Sequence, residues 1–107
     1  MKIKVKPQVN IHIENKSQLI NKRIAIRDIE NFDVSIHYGA TLLNIDYNKQ
    51  VEAIDLVFSA NPDRTRMSDA SFIILNEGDF LPIGNWKMVK TLTSNFTTKK
   101  RYLFLAE

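Results

Sequence analysis

An all-β or mainly β fold, built as a small antiparallel barrel or sandwich, is what this sequence predicts. Apolar residues recur at every second position in several short stretches, and turn-forming residues separate those stretches. Little of the chain keeps the spacing of a helix. With 107 residues, 44% hydrophobic and 25% charged, the chain has the size and composition of one domain with an ordinary core. No repeat, linker or low-complexity tract divides it, so residues 1–107 are read as a single β-rich domain.

The first element is the most regular. Ile3, Val5, Pro7, Val9, Ile11 and Ile13 alternate with Lys4, Lys6, Gln8, Asn10 and His12, which predicts a long strand with one buried and one wet face. Pro7 cannot donate to a ladder, so this strand is expected at an edge, with Lys4 and Lys6 beside it. After a turn at Asn15, Lys16 and Ser17, a second strand over residues 22–27 is expected to pair back on it. Phe32, Val34, Ile36 and Tyr38 alternate with Asp33, Ser35 and His37, giving a half-buried strand that Gly39 interrupts.

Residues 41–47 continue as a strand with Leu43, Ile45 and Tyr47 on one face and Asn44 and Asp46 on the other. Two readings of residues 50–58 stay open. Ile54, Leu56 and Phe58 fit a strand after a turn at Asn48 and Lys49, whereas Val51, Ile54, Val57 and Phe58 fit one short helix with Asn48 as its cap. The strand is preferred because its residues are β-favouring. Residues 61–66 are turn chemistry, and a short buried strand follows at residues 72–75. After a turn at Asn76, Glu77, Gly78 and Asp79 comes a strand over residues 85–93. The last strand, residues 101–105, is apolar on both faces and is expected inside a sheet or under a second layer.

Composition removes several chemistries. Without cysteine there is no disulfide, thiolate catalysis or iron–sulfur cluster. The alternating start, Met1 to Pro7, lacks the continuous apolar stretch of a signal peptide, and no apolar run approaches the length of a membrane span. The expectation is a soluble protein in the cytoplasm of a bacterial host or in a virion, with no membrane partner. A net charge of +3 is compatible with almost any partner class.

Catalytic, metal and cofactor sites are not expected. Asp33, Ser35 and His37 are the residue types of a hydrolytic triad and share a strand face, yet neighbours two apart stand roughly 7 Å from each other. A base and nucleophile need hydrogen-bond contact, and no Gly-x-Ser-x-Gly elbow surrounds Ser35. His12 and His37 lack metal-ligand spacing, and Gly39, Gly78 and Gly84 form no phosphate loop.

The one constellation with binding chemistry lies near the carboxy terminus. Trp86, Lys87 and Lys90 on one strand and Lys99, Lys100 and Arg101 on the next flank a polar loop carrying Phe96. Cations that neutralise phosphates beside aromatic faces that stack on bases describe a single-stranded nucleic-acid site. The same residues also suit a sheet edge guarded by lysines and a half-buried tryptophan.

From residue 57 onward the chain resembles the closing half of small bacteriophage neck proteins of the head-closure or minor capsid type. The resemblance rests on the turn at Asn76, Glu77, Gly78 and Asp79, the strand Gly84-Asn85-Trp86-Lys87-Met88-Val89-Lys90, and the ending Lys100-Arg101-Tyr102-Leu103-Phe104-Leu105. It implies a small β-barrel that joins rings between capsid and tail. The expected function is therefore a non-enzymatic protein-binding module, an assembly or inhibitory protein of a phage or other mobile element, with another protein or a second copy as partner. The alternative is single-stranded nucleic-acid binding by the basic and aromatic hairpin.

Overall fold

The computed structural model describes residues 17–93 and 99–107, which form seven strands and no helix. They are β1 (Gln18–Ala25), β2 (Asn31–His37), β3 (Thr41–Asn48), β4 (Ala53–Ala60), β5 (Met67–Asn76), β6 (Trp86–Thr93) and β7 (Lys100–Ala106). The strand expected at residues 3–13, with Lys4, Lys6 and His12, lies outside the described residues, as does Phe96. Two antiparallel sheets result, in the orders β1-β4-β3 and β2-β5-β7-β6, stacked as a small sandwich.

The inward faces follow from alternation. Ile54, Leu56 and Phe58 of β4 point to the core beside Ile20 and Ile24 of β1, and Phe72 and Ile74 of β5 meet them from the other sheet with Leu103 of β7. The Phe32 and Phe72 rings, opposite each other on β2 and β5, stack at 4.9 Å. The last strand sits inside the second sheet, between β5 and β6, as its two apolar faces required.

Several local expectations change. Residues 53–60 are strand, and residues 49–52 form the turn before it, so the helical alternative does not form; Asn48 Oδ1 accepts the Gln50 amide at 3.0 Å and shapes that turn. The second strand starts and ends earlier than expected, at Gln18–Ala25, and its described partner is β4. β5 extends well before Phe72, because Ser68 to Ser71 continue the ladder with β2. In β3 a bulge between Leu42 and Asn44 inserts one residue and shifts the phase. Leu42, Ile45 and Tyr47 therefore pack on the core, and Leu43, expected among them, is 54% exposed. Tyr38 likewise leaves its strand's apolar face, sitting in the turn after β2 with the Arg66 guanidinium 4.3 Å over its ring.

One end of the sandwich is closed by a buried carboxylate. Glu52, only 7% exposed, takes the Arg27 Nε donor on Oε2 at 2.8 Å, and Arg101 Nη2 stands 3.6 Å from Oε1. Arg101 Nη1 also donates to the Ile26 carbonyl at 3.4 Å, and the Ile26 amide donates to the Glu52 carbonyl at 2.9 Å. Glu52 holds a left-handed backbone, φ +50°, which a residue with a Cβ adopts at a cost of roughly 1–2 kcal/mol. Its partners offset that cost.

Two outcomes test this packing. Leu103→Ala, at a fully buried central-strand position, should cost about 2–5 kcal/mol in urea unfolding, with Phe104→Ala costing less. Glu52→Ala should cost roughly 2–3 kcal/mol, short of the ~3–5 kcal/mol of an enclosed pair because Arg27 remains solvated. A loss under about 0.5 kcal/mol for Glu52→Ala would mean that the carboxylate closes nothing.

Candidate functional site

The carboxy-terminal hairpin pairs Trp86 with Ala106 and Thr93 with Lys100. Trp86 and Lys87 thus lie at one end of it and Lys99 and Lys100 at the other, about 23 Å apart at the usual strand rise. Register also sorts these residues by face, since partners directly opposite point the same way. Leu92 and Leu103 point inward, and Arg101, opposite Leu92, points inward with them. Arg101 is a correction to the expected binding set, because its guanidinium is committed to Glu52 and the Ile26 carbonyl and stays half-buried.

The other members have separate surroundings. Lys99 and Lys100 border an open cavity of about 790 Å³ together with Asn76, Glu77, Asp79 and Tyr102, so carboxylates face the lysines across it. Trp86 is half-buried; its Nε1 is enclosed with no hydrogen-bond partner among the described residues, and a Cβ at Gly84 would lie 3.3 Å from it. Gly84, at φ +138°, is what lets the incoming chain pass that close. Lys87 and Lys90 line a second groove, between the end strands β3 and β6. The described residues therefore form no continuous basic and aromatic track.

The two outer sheet faces differ in character. On the sheet β1-β4-β3 the outward residues include Asn21, Arg23, Asp55, Asn44 and Asp46, together with Leu19 and Val57. Arg23 grips Asp55 with two hydrogen bonds, 2.8 and 2.9 Å, across the β1–β4 ladder. On the other sheet Ile73 pairs with Phe104 and Leu75 with Tyr102, all outward, and Met88 continues the row opposite Phe104. This half-covered apolar strip lies along β7, and beside it the outward residues of β2 and the first part of β5, among them Asn31, Asp33, Ser35, Asp69 and Ser71, are polar.

The connection of β5 to β6 belongs to that side. Both strands run antiparallel to β7 and flank it, so residues 77–85 must cross β7 and return roughly 17 Å along it. Every residue of this crossover is exposed, and Phe80 and Ile83 are 94% and 104% exposed. Phe80, Leu81, Pro82 and Ile83 are four consecutive apolar residues held in water. The sequence reading places a turn at residues 76–79 and a strand from residue 85 and assigns nothing to these four; an apolar run too short for a strand, broken by Pro82 and bounded by Asp79 and Gly84, was the available signal.

The residues of the triad pattern lie on the outer face of β2, at the polar edge of that same sheet. His37 Nδ1 donates to the Arg64 carbonyl at 2.8 Å, which fixes the ring to the loop of residues 61–66. Among the described residues no group of three or more His, Asp or Glu is placed to hold a metal ion, and no helix is long and apolar enough to cross a membrane.

Asp55 makes the polar face pH-sensitive. Hydrogen bonds from Arg23 hold its carboxyl below the ordinary carboxylate value. With a lowered folded value, the pair's contribution is present above the unfolded value and is lost as pH falls through the folded one. Asp55→Asn should flatten the acid part of the stability profile between about pH 5 and pH 2 in urea midpoints, leaving the slope near neutrality unchanged. An identical acid slope in the variant would contradict this role. Comparison with protein-family models, characterised proteins and solved structures finds no match to this chain.

Proposed function

We propose that this protein is a non-enzymatic protein-binding module, an assembly or inhibitory protein of a phage or other mobile element, that docks through the crossover at residues 77–85. The carrying observation is the exposure of Phe80 and Ile83, with Leu81 and Pro82 between them, on a connection that packs none of them. Single exposed apolar residues are ordinary on protein surfaces, whereas clustered ones mark contact sites. Two more features support the reading. The part of the sheet that the crossover spans, around β7, carries Ile73, Leu75, Tyr102 and Phe104 outward, so the exposed apolar side chains of residues 80–83 adjoin an apolar strip. The resemblance of the chain from residue 57 onward to phage neck proteins is in keeping with a phage source and a protein partner.

The nucleic-acid reading keeps one supporting observation, the two exposed lysines Lys99 and Lys100 beside Tyr102. Glu77 and Asp79 share that cavity and repel phosphate.

Affinity capture from native lysate, run with the natural protein and with Phe80→Ser plus Ile83→Ser, tests the proposal. The variant should unfold within about 0.5 kcal/mol of the natural protein, since both positions are solvent-exposed, and should lose the captured protein. Capture that survives the double substitution sinks the proposal. Anisotropy of labelled single-stranded oligonucleotides at low salt tests the second reading: binding that weakens, with a shallower salt slope, in Lys99→Ala plus Lys100→Ala would establish phosphate contact.

A further inference from the structure

The exposed crossover has a complementary surface on the same chain. Between the end strands β3 and β6 lies a groove of about 450 Å³, within the size range of small binding clefts, roughly 300–1,000 Å³. Its apolar lining includes Leu43, Ile45, Val89 and Leu105, and Lys87 and Lys90 supply its charge. Both strands bulge where they border it, at Leu42/Asn44 and at Met88/Lys90. Bulges interrupt the ladder and turn an edge away from strand pairing, so this seam is shaped for side chains and not for an added strand.

We propose that the groove receives the Phe80 and Ile83 side chains of a second copy of this chain, with Glu77 and Asp79 of the incoming crossover meeting Lys87 and Lys90. The two surfaces are complementary in hydrophobicity and in charge. The knob is apolar beside Glu77 and Asp79, which also border the cavity with Lys99 and Lys100 and of which Asp79 accepts the Asn76 amide at 2.8 Å, and the groove is apolar beside Lys87 and Lys90. The knob does not fill its own groove, because Phe80 and Ile83 are fully exposed in the single chain. A knob and a groove at different places on one surface make a head-to-tail contact, which repeats from copy to copy until a ring closes or a filament grows. This deepens the protein-binding reading by naming the partner, and rests on it.

The test is sedimentation velocity of the full chain over a concentration series up to about 1 mM, a range that detects even weak association. The natural protein should gain mass with concentration. Phe80→Ser plus Ile83→Ser removes the knob, and Lys87→Glu plus Lys90→Glu reverses the groove; each should stay monomeric alone. Mixed together they should form a dimer of one copy each, since the first keeps a groove and the second a knob. Leu43→Asp, at an exposed bulge residue, is a second groove variant that should behave like the lysine reversal. A natural protein monomeric throughout overturns the proposal, and so does association without complementation in the mixture. Should the natural protein be monomeric while Phe80→Ser plus Ile83→Ser still loses a captured protein, the protein-binding reading stands and the second copy as its partner does not.

Discussion

The carboxylate of Glu52 is the contact on which the arrangement of the two sheets depends. It sits in the β3–β4 turn, in the first sheet, and reaches Arg101 on β7, in the second. Through Arg27 and the paired Ile26 backbone groups it also holds the connection from β1 to β2, where the chain changes sheets. Hydrophobic packing between sheets is non-directional and tolerates sliding, whereas this network has one satisfied geometry. Buried ion pairs contribute little net stability against an apolar replacement, so its effect is better described as fixing where β7 lies against the β3–β4 hairpin.

From that fixed frame the exposed crossover follows by topology. A sheet in which β5 and β6 run parallel on either side of β7 cannot join them by a tight hairpin, and residues 77–85 have to cross. A crossover lined by polar residues would be a plain connection. Here four apolar residues occupy its middle, over a sheet whose outer side carries Ile73, Leu75, Tyr102 and Phe104. The first sheet carries Arg23, Asp55 and Asp46 outward, with Val57 beside them, and no such crossover spans it among the described residues.

How much of this was legible in the sequence depends on whether local periodicity carried the information. The alternation of Phe32, Val34 and Ile36 set the inward face of β2, and the two-sided apolar run at residues 102–105 placed β7 inside a sheet. Bulges were not legible, since one inserted residue leaves no local mark; it sent Leu43 outward and brought Leu42 to the core. Strand order was not legible either, because the pairing of β1 with β4 joins residues far apart in the chain. The binding set read from the hairpin suffered from the same blindness: Arg101 looked like one of three adjacent cations, and its distant partner Glu52 drew it inward. Lys87 and Lys90, read as part of a basic and aromatic hairpin, border a groove whose other lining is largely apolar.

The central claim is that a rigid sandwich carries an apolar crossover that remains open until another chain covers it. Amide hydrogen exchange followed by mass spectrometry, in dilute and in concentrated protein, measures this without any substitution. The account predicts slow exchange in β4 and β7 at both concentrations and fast exchange across residues 77–85 in dilute protein. On concentration, protection should appear in residues 77–85 and in the β3 and β6 segments beside the groove. Residues 77–85 already protected in dilute monomer, or unchanged exchange there across the whole series, would contradict it.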